Sequence, residues 1–338
     1  MSMPSLLTVE GDIVKKVLIT GASGFIGSRV ASRLLSDQLN VRCLVHRSPF
    51  QTQYPTSDII VGDIRDPDLA VKATKDVDIV FHFAAAVHHK ATEEEYYSIN
   101  VEGTRNIAKA AGVNNVRHFV FASSTSVYGK GSTNFKEDSP CKPDTAYGRS
   151  KIIAEKAVKD IAAETGMKLT ILRLSTVYGE GEPGNVSRLI KAVAKYGPLV
   201  LGSGANRKSM TYVENVAALC SRLIKWSGSG GVSILNVADP EPYRLDEIVA
   251  AIASALNKSG PLIRVNQHLA LAGSWGLTAA ARLFGRKSPL TPEQVKKITE
   301  DAVCDVTKLR EEVGFVAPIL LEEGIRRTVA WYRSKGEI

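Results

Sequence analysis

Two side chains one helical turn apart have the chemistry to move a proton. Tyr147 and Lys151 open a helical pattern, and a helix would place them on one face. An adjacent ammonium favours the phenolate form of a tyrosine, and a second positive charge nearby would add to this effect. We therefore expect the pKa of Tyr147 to fall from about 10 toward neutrality, so that it serves as a general acid and base. The alternative is an ordinary Tyr–Lys pair on a protein surface.

A cluster of hydroxyl side chains gives this tyrosine a partner. Ser123–Gly129 directly follows the apolar run His118–Ala122, which reads as a buried strand. Residues at the carboxyl ends of parallel strands face the ligand crevice, where a hydroxyl can donate to a carbonyl or alkoxide oxygen. The alternative is a turn rich in Ser and Thr. The order of the two segments along the chain favours a reactive site.

A glycine-rich turn near the amino terminus has the spacing of a phosphate-binding loop. Gly21, Gly24 and Gly27 follow the apolar run Lys16–Thr20 and open a helical pattern. Such glycines permit a tight turn, a close approach to a pyrophosphate and close packing of helix on strand. The first helical residues, Phe25 and Ile26, would add free backbone N–H groups at the positive end of the helix dipole. We expect a dinucleotide here.

The residues after the second and third strands bear on which dinucleotide binds. The second strand normally ends near a carboxylate that binds the adenosine ribose of NAD, but here His46 and Arg47 occupy that place. A cation there meets the 2′-phosphate of NADP, so NADP is favoured and NAD stays open. After the third strand, Asp63 would accept from the adenine amino group while Ile64 covers the ring.

The elements that must position these residues alternate between apolar runs and helical patterns. Such alternation predicts an α/β fold, a Rossmann-type doubly wound parallel sheet. We assign residues 15–175 to a dinucleotide-binding domain and residues 176–338 mainly to a smaller, partly interleaved substrate lobe. The predicted strands are Lys16–Thr20, Val41–Val45, Asp58–Gly62, Asp78–Phe83, His118–Ala122, Lys168–Leu174, Leu199–Leu201 and Ser233–Val237. The predicted helices are Phe25–Ser36, Glu93–Ala111, Ala146–Thr165 and residues 185–196, 214–226, 245–257 and 307–335.

Taken together, these segments resemble an extended short-chain dehydrogenase/reductase of the NAD-dependent epimerase/dehydratase family. The resemblance covers nearly the whole chain. It is carried by TGASGFIG (Thr20–Gly27), VGDIRD (Val61–Asp66), HFAA (His82–Ala85), NVEGTRNI (Asn100–Ile107), ASSTSVYG (Ala122–Gly129), YGRSK (Tyr147–Lys151), LRLSTVYG (Leu172–Gly179) and LEEGIRRTVAWYR (Leu321–Arg333).

The resemblance implies a role for each matching residue. Ser124, Tyr147 and Lys151 would form the catalytic triad, with Ser124 polarising the substrate oxygen and Lys151 also binding the nicotinamide ribose. Asn100 would hold the active-site backbone. Phe83, Ala84 and Ala85 would line the cofactor site. The substrate would meet Ser124, Thr176, Asn185, Arg207 and Lys208.

Three departures from the family pattern limit the range of activities that we expect. Ser126 and Val127 stand where the 4,6-dehydratases carry an Asp-Glu pair, which disfavours dehydration. Thr176 stands in the segment where sugar epimerases carry a substrate-binding Asn. The usual phosphate-binding Arg-Asp pair reads Arg207-Lys208, and either cation would make the contact.

Composition and charge exclude several classes of protein. With 338 residues, 44% hydrophobic and 23% charged, the chain is neither disordered nor fibrous. The net charge of +8 invites a nucleic-acid interpretation, but the basic residues do not alternate with aromatic ones, so no nucleic acid is expected. The four separated cysteines indicate a reducing compartment, and no metal site is expected. We expect a cytoplasmic protein, and the resemblance to the family implies a homodimer.

Two stretches without any acidic residue hold ten cations between them. Residues 183–213 fall where the family binds a nucleotide diphosphate, which gives the charge a local role. Residues 248–292 surround the apolar segment Leu269–Gly285. This segment is interpreted as a helical insertion over the substrate, and contact with a membrane or a lipid-like substrate is the less favoured alternative.

The predicted function is hydride transfer at C4 of a UDP-hexose by a nicotinamide cofactor. Reduction of a 4-keto sugar by NADPH is slightly favoured over 4-epimerisation because of Arg47. A 3β-hydroxysteroid-type dehydrogenase is the next alternative, since Leu283–Val295 resembles a segment of that branch. A non-catalytic protein that senses the nicotinamide cofactor is the last alternative, and the intact triad argues against it.

Overall fold

The computed structural model describes residues 8–9, 12–14, 16–47, 58–87, 91–130, 134–228, 230–283, 288 and 291–338. A parallel sheet of seven strands forms the centre of this part of the chain, in the spatial order β13-β8-β7-β6-β3-β4-β5. The strands of the chain are β1 (Thr8–Val9), β2 (Asp12–Ile13), β3 (Val17–Thr20), β4 (Val41–Val45), β5 (Ile59–Val61), β6 (Ile79–His82), β7 (His118–Ser124), β8 (Lys168–Leu174), β9 (Thr176–Tyr178), β10 (Leu199–Leu201), β11 (Arg207–Lys208), β12 (Met210–Tyr212), β13 (Val232–Val237), β14 (Tyr243–Arg244) and β15 (Ile263–Val265).

Helices cover both faces of this sheet, which confirms the predicted doubly wound fold. The helices are α1 (Phe25–Ser36), α2 (Pro67–Thr74), α3 (Glu93–Tyr96), α4 (Thr104–Val113), α5 (Ala146–Thr165), α6 (Asn185–Tyr196), α7 (Val213–Ile224), α8 (Leu245–Ala255), α9 (Gln267–Leu283), α10 (Pro292–Thr299), α11 (Thr307–Val313) and α12 (Leu321–Ser334). A π-helical segment (Tyr97–Gly103) joins α3 to α4, and a 3-10 turn (Thr125–Val127) follows β7.

The apolar strand runs are buried on both faces, as a parallel sheet requires. The strand β3 is wholly buried along its four residues. One core joins its first face to α1, α7 and α11, and a second core joins the other face to α2, α4 and α5. The carboxyl ends of these strands therefore meet at one edge of the sheet, between the two helical layers.

Two predicted helices differ from the observed ones. The single helix predicted over residues 307–335 is wrong, because Gly314 adopts the left-handed conformation (φ 64°) that ends α11, and Pro318 follows. The helix predicted over Glu93–Ala111 is interrupted by the π-helical segment. Such segments are rare in proteins, and those that occur are often found at functional sites.

The second half of the chain builds a smaller core and also returns to the main sheet. Residues of α6, α8 and α12 pack with β10 and β12 into a third cluster. By contrast, β13 pairs in parallel with β8 over six residues and is one of the two edge strands of the sheet. The helix α7 packs with α1 in the first core. The chain thus enters the second lobe, completes the first, and enters the second again.

Candidate active site

The glycine turn between β3 and α1 is shaped by close backbone contacts. Gly21 has φ +68°, and a Cβ there would lie 2.7 Å from the backbone nitrogen of Ala84. A Cβ on Gly27 would lie 2.2 Å from the carbonyl oxygen of Gly21. The backbone N–H of Gly24 donates to that same oxygen at 2.9 Å. This turn leaves no space for side chains and brings the loop after β6 against it, which fits the cradle that a pyrophosphate needs.

The predicted cofactor residues around this turn have different surroundings. Phe83, Ala84 and Ala85 form the loop after β6, and the backbone N–H of Ala84 donates to the Thr20 hydroxyl at 3.2 Å. Phe25 and Ile26 provide the first turn of α1, but their side chains pack against the core of the second lobe. Their backbone rather than their side chains is therefore available to a phosphate.

The residues expected to choose between NAD and NADP lie near one another. His46 and Arg47, just after β4, are exposed. His46 Nε2 lies 3.4 Å from the carboxylate of Asp63, and Arg65 donates to both carboxylate oxygens of Asp63. Hydrogen bonding from Arg65 lowers the pKa of Asp63 to about 2. Asp63 is thus a firmly ionised acceptor, and Arg47 is the cation open to a ribose phosphate.

The π-helical segment positions two of the predicted residues. Asn100 is buried within it, accepts from the backbone N–H of Ala86 at 2.7 Å and donates to the Ser150 hydroxyl at 3.0 Å. It therefore ties the loop after β6 to α5. Ile64 is buried against Gly103, where a Cβ would lie 2.5 Å from the Ile64 side chain.

The three predicted catalytic residues come from two elements at the carboxyl edge of the sheet. Ser124 ends β7, and its hydroxyl accepts from the Ser126 backbone N–H at 3.2 Å. Tyr147 and Lys151 lie in the first turns of α5, which begins after Thr145, whose hydroxyl accepts from the Gly148 N–H. Lys151 is 3% exposed, with its ammonium 4.6 Å from the centre of the Phe121 ring.

The electrostatics of this pair differ from the expectation. Burial raises the pKa of Tyr147 to about 12, and a hydrogen bond with Ser124 only partly offsets this effect. Burial lowers the pKa of Lys151 to about 7. The expected fall in the tyrosine pKa is therefore wrong for the protein alone, because removing both groups from water disfavours both charged forms. A second positive charge beside the phenol, such as that of an oxidised nicotinamide, would act in the opposite direction.

A buried ionic network behind the site was missed at the sequence level. Glu155, fully buried one turn beyond Lys151, accepts two hydrogen bonds from Arg173, at 3.0 and 2.8 Å, and one from Ser123 at 2.5 Å. Arg173 also donates to the Tyr128 hydroxyl at 3.0 Å. This carboxylate favours the charged form of Lys151. Glu155 lies four residues after Lys151, and this helical spacing is the feature of the sequence that could have indicated the interaction.

Three of the predicted substrate residues lie on the second lobe or its connections, and all three are exposed. Thr176 begins β9, which pairs in parallel with β12. Asn185 begins α6, and its side chain accepts from Arg188 at 2.9 Å. Arg207, on β11, reaches Glu241 only at 4.0 Å, and its side chain is 52% exposed.

Lys208, the fourth, is engaged elsewhere. Its ammonium donates to the carbonyl oxygens of Lys297 and Glu300, at 2.8 and 2.5 Å, at the end of α10. Burial lowers its pKa to about 8. Of the two cations left open by the sequence, Arg207 is therefore the one whose side chain is free to meet an anion.

Two further hydroxyls near this edge are buried without a protein partner. Ser126 follows β7 and Ser175 follows β8, and neither side-chain oxygen has a hydrogen bond within the described part of the protein. A buried hydroxyl without a partner is costly, so each is a candidate to bind a ligand oxygen. From the sequence, Ser126 indicated only a departure from the dehydratases.

The buried histidine at the end of β6 has a packing role. His82 is buried, and its two ring nitrogens bond the hydroxyls of Thr20 and Thr104, at 2.7 and 2.9 Å. Burial lowers its pKa to about 3, so the ring stays neutral. His88 and His89 lie outside the described residues. Where the chain is described, no group of three His, Cys, Asp or Glu side chains converges.

The chain is similar in sequence to known proteins of one family. The model of the NAD dependent epimerase/dehydratase family matches residues 17–238. The chain is 32% identical to the N-acetyl-alpha-D-glucosaminyl-diphospho-ditrans,octacis-undecaprenol 4-epimerase of Escherichia coli O157:H7, over 93% of this chain and 94% of that protein. It is 29% identical to the UDP-glucose 4-epimerase of Vibrio cholerae, over 96% and 97%.

A solved structure has the same overall fold. MoeE5, in complex with UDP-glucuronic acid and NAD, superposes with a TM-score of 0.74 at 27% identity, covering 95% of this chain and 99% of that one. The family match spans most of the chain and includes the glycine turn, Ser124, Tyr147 and Lys151. The chain is therefore an NAD(P)-dependent enzyme of the NAD-dependent epimerase/dehydratase family.

Proposed function

We propose that the protein is a 4-epimerase of a hexose or N-acetylhexosamine that is joined to its carrier through a diphosphate. The observation that carries this proposal is the similarity, over more than nine-tenths of the chain, to two proteins whose names state 4-epimerase. The site supports it, since Ser124 and the Tyr147–Lys151 pair lie at one edge of the sheet. No acid pair for dehydration follows Ser124.

Reduction of a 4-keto sugar, which the sequence slightly favoured, becomes the second candidate. Its support is Arg47, exposed where the 2′-phosphate of NADP would lie. The similar proteins do not favour it over epimerisation. We accordingly propose NAD as the cofactor, retained through the catalytic cycle.

The chain's own residues handle the oxygen and the proton at C4. The bound nicotinamide supplies the hydride acceptor and donor. Tyr147 takes the proton of the C4 hydroxyl and returns it, while Ser124 donates a hydrogen bond to the C4 oxygen. Lys151 supplies positive charge that stabilises the phenolate. Its pKa is about 7, and the carboxylate of Glu155 favours its charged form.

The second lobe would hold the diphosphate. Arg207 is exposed on β11, and a guanidinium can bind two phosphate oxygens at once. Either of two carriers presents the same diphosphate: a uridine nucleotide, as the name of the Vibrio cholerae relative states, or a polyprenol, as the name of the Escherichia coli relative states.

Purified full-length protein would be incubated with UDP-N-acetylglucosamine, UDP-glucose and N-acetylglucosaminyl-diphospho-undecaprenol, and the sugars would be separated by chromatography. We expect the C4 epimer of one of them to form without net production of NADH. Tyr147→Phe should lower kcat by about 10²-fold or more, the scale of lost general acid–base catalysis. Tyr196→Phe, at an exposed tyrosine of α6, is the matched control and should keep full activity.

Three other outcomes would contradict the proposal. Consumption of NADPH with a UDP-4-keto-6-deoxy sugar, and no epimer from any substrate, would identify a reductase. Oxidation of a 3β-hydroxysteroid alone would move the enzyme to another branch of the family. Normal turnover by Tyr147→Phe would refute the assigned mechanism.

A further inference from the structure

The helix α9 is apolar and yet largely exposed. Its seventeen residues, QHLALAGSWGLTAAARL, contain no acidic side chain, and their one basic side chain is next to the last residue. Leu269 is 70% exposed, Trp275 64% and Leu277 46%. A helix with so few charged residues is usually buried within a core or a bilayer.

Neighbouring elements cover little of this helix. A Cβ added at Gly273 or Gly276 would have no atom within 4 Å, so open space lies beside both. Ser274 is the buried exception among residues 267–281. The exposed apolar face, which we call the α9 face, consists of Leu269, Ala272, Gly273, Trp275, Gly276, Leu277, Ala279 and Ala280.

The length of α9 indicates how it would meet a bilayer. At 1.5 Å per residue it extends about 25 Å, less than the roughly 30 Å of a hydrocarbon core. Among the described residues no helix combines the length and hydropathy that crossing a membrane requires. An apolar helix of this length is suited to lie along the surface, and tryptophan is enriched at that depth.

Charge around α9 favours an anionic surface. No acidic residue occurs between Ile248 and Pro292, whereas Lys258 and Arg264 precede the helix and are exposed. Arg264 is paired with Asp246 at 3.2 Å, so its charge is partly balanced within the protein. The helix α10, which packs on α9, presents Lys296 and Lys297 together with one exposed carboxylate, Glu293, and so carries a net positive charge. A second copy of the chain would bring the same positive charge against itself, which is unfavourable. An anionic bilayer is complementary to both the charge and the apolar face.

We propose that the α9 face rests on the surface of an anionic membrane, with Trp275 at the depth of the lipid headgroups. This contact goes beyond the proposed epimerase activity and does not depend on it. It would place the second lobe, which holds Arg207, next to the bilayer.

The test measures binding of the full-length protein to vesicles by sedimentation, without any substrate. We expect binding to vesicles of equal phosphatidylglycerol and phosphatidylcholine, weaker binding in high salt, and much less binding to pure phosphatidylcholine. The double variant Leu269→Ser/Trp275→Ser should lower the bound fraction about tenfold or more. The matched control Val113→Ser/Val316→Ser alters two exposed valines elsewhere, 72% and 54% exposed, and should bind like the unaltered protein.

A second measurement locates the contact on the molecule. Bromine-labelled lipids should quench tryptophan fluorescence, and Trp275→Phe should abolish the quenching while it retains binding. Trp331→Phe should keep both. Equal binding by the two double variants would overturn the proposal, and so would quenching that survives in Trp275→Phe. Loss of a dimer in the Leu269→Ser/Trp275→Ser variant, with vesicle binding unchanged, would assign the face to a second copy instead.

Discussion

At the scale of single residues, the two adjacent cations on β11 differ in what they can do. The Lys208 ammonium is bonded to two carbonyl oxygens at the end of α10, whereas the Arg207 side chain is half exposed. Sequence position alone did not distinguish them. Their neighbours do, because the bonds of Lys208 come from residues about ninety positions further along the chain.

This difference predicts separate effects for the two alanine variants. Arg207→Ala should raise KM roughly tenfold for a diphosphate-linked sugar, with little change in Tm, because it removes a charged contact to phosphate. Lys208→Ala should lower the free energy of unfolding by about 1–3 kcal/mol, with KM nearly unchanged, because it removes hydrogen bonds from a charged group. Steady-state kinetics and thermal unfolding of both variants check this prediction. The opposite pattern would assign the anion to Lys208.

A second prediction at this scale concerns pH. Burial lowers the pKa of Lys151 to about 7, below its ordinary value of 10.5. Between these two pH values the unfolded chain binds a proton that the folded protein has lost, so this group makes stability rise as pH increases. Lys151→Met removes that contribution. We expect Lys151→Met to be more stable than the unaltered, cofactor-free protein at pH 6, with a smaller difference at pH 9.

Thermal unfolding of the two proteins across this pH range measures the difference. A gap in Tm that is the same at pH 6 and pH 9 would show that Lys151 keeps an ordinary pKa. The sequence placed Lys151 next to Tyr147 but gave no measure of how much water reaches either side chain. Their pKa values follow from burial, which depends on packing between β7 and α5.

At the scale of elements, the glycine turn and the strand runs were predictable and the π-helical segment was not. A turn of three glycines can be recognised in the sequence, because a side chain at each of these positions would approach neighbouring backbone atoms too closely. The π-helical residues Tyr97–Gly103 are mostly moderate or poor helix formers, but such residues do not indicate a π-helix in particular. What holds them is Asn100, whose bonds to Ala86 and Ser150 link distant parts of the chain.

The glycine turn gives the third prediction. Gly27→Ala places a Cβ 2.2 Å from the carbonyl oxygen of Gly21, so α1 must shift away from β3. We expect a loss of stability of about 1–3 kcal/mol, the usual cost of overpacking, and at least tenfold weaker NAD binding. Calorimetric titration with NAD and thermal unfolding measure both quantities.

Gly273→Ala is the control for this variant, since it is also a helical glycine but has open space at the Cβ. It should leave NAD binding unchanged and keep or slightly raise Tm, as alanine favours helix by up to about 1 kcal/mol. Unaltered NAD affinity in Gly27→Ala would mean that the turn relaxes without disturbing the phosphate site.

At the scale of the whole molecule, the domain boundary proposed at residue 175 can be tested by cutting the chain. A fragment of residues 15–175 lacks β13 and α7. Its strand β8 would become an open edge, and the buried face of α1 would lose its partner. We expect this fragment to lack a cooperative thermal transition by circular dichroism, although it retains the glycine turn and the whole triad. A cooperative transition would show that the first lobe folds alone.

The net charge of +8 also belongs to this scale. The sequence suggested that the excess lies in residues 183–213 and 248–292, with the rest of the chain slightly negative. In the structure the first stretch includes Arg207, and the second contains α9 with its exposed apolar face. The sequence located the charge correctly along the chain. It did not show that Trp275 lies exposed on the surface.

The late position of β13 in the chain has a consequence for synthesis on the ribosome. Six strands of the main sheet are complete at Leu174, but the seventh begins only at Val232. About 60 residues must be added in between, which takes roughly 3–12 s at 5–20 residues per second. During that interval the nascent sheet displays the unpaired edge of β8, a template for pairing with another chain. Conditions that slow elongation between these two strands should therefore lower the yield of native protein.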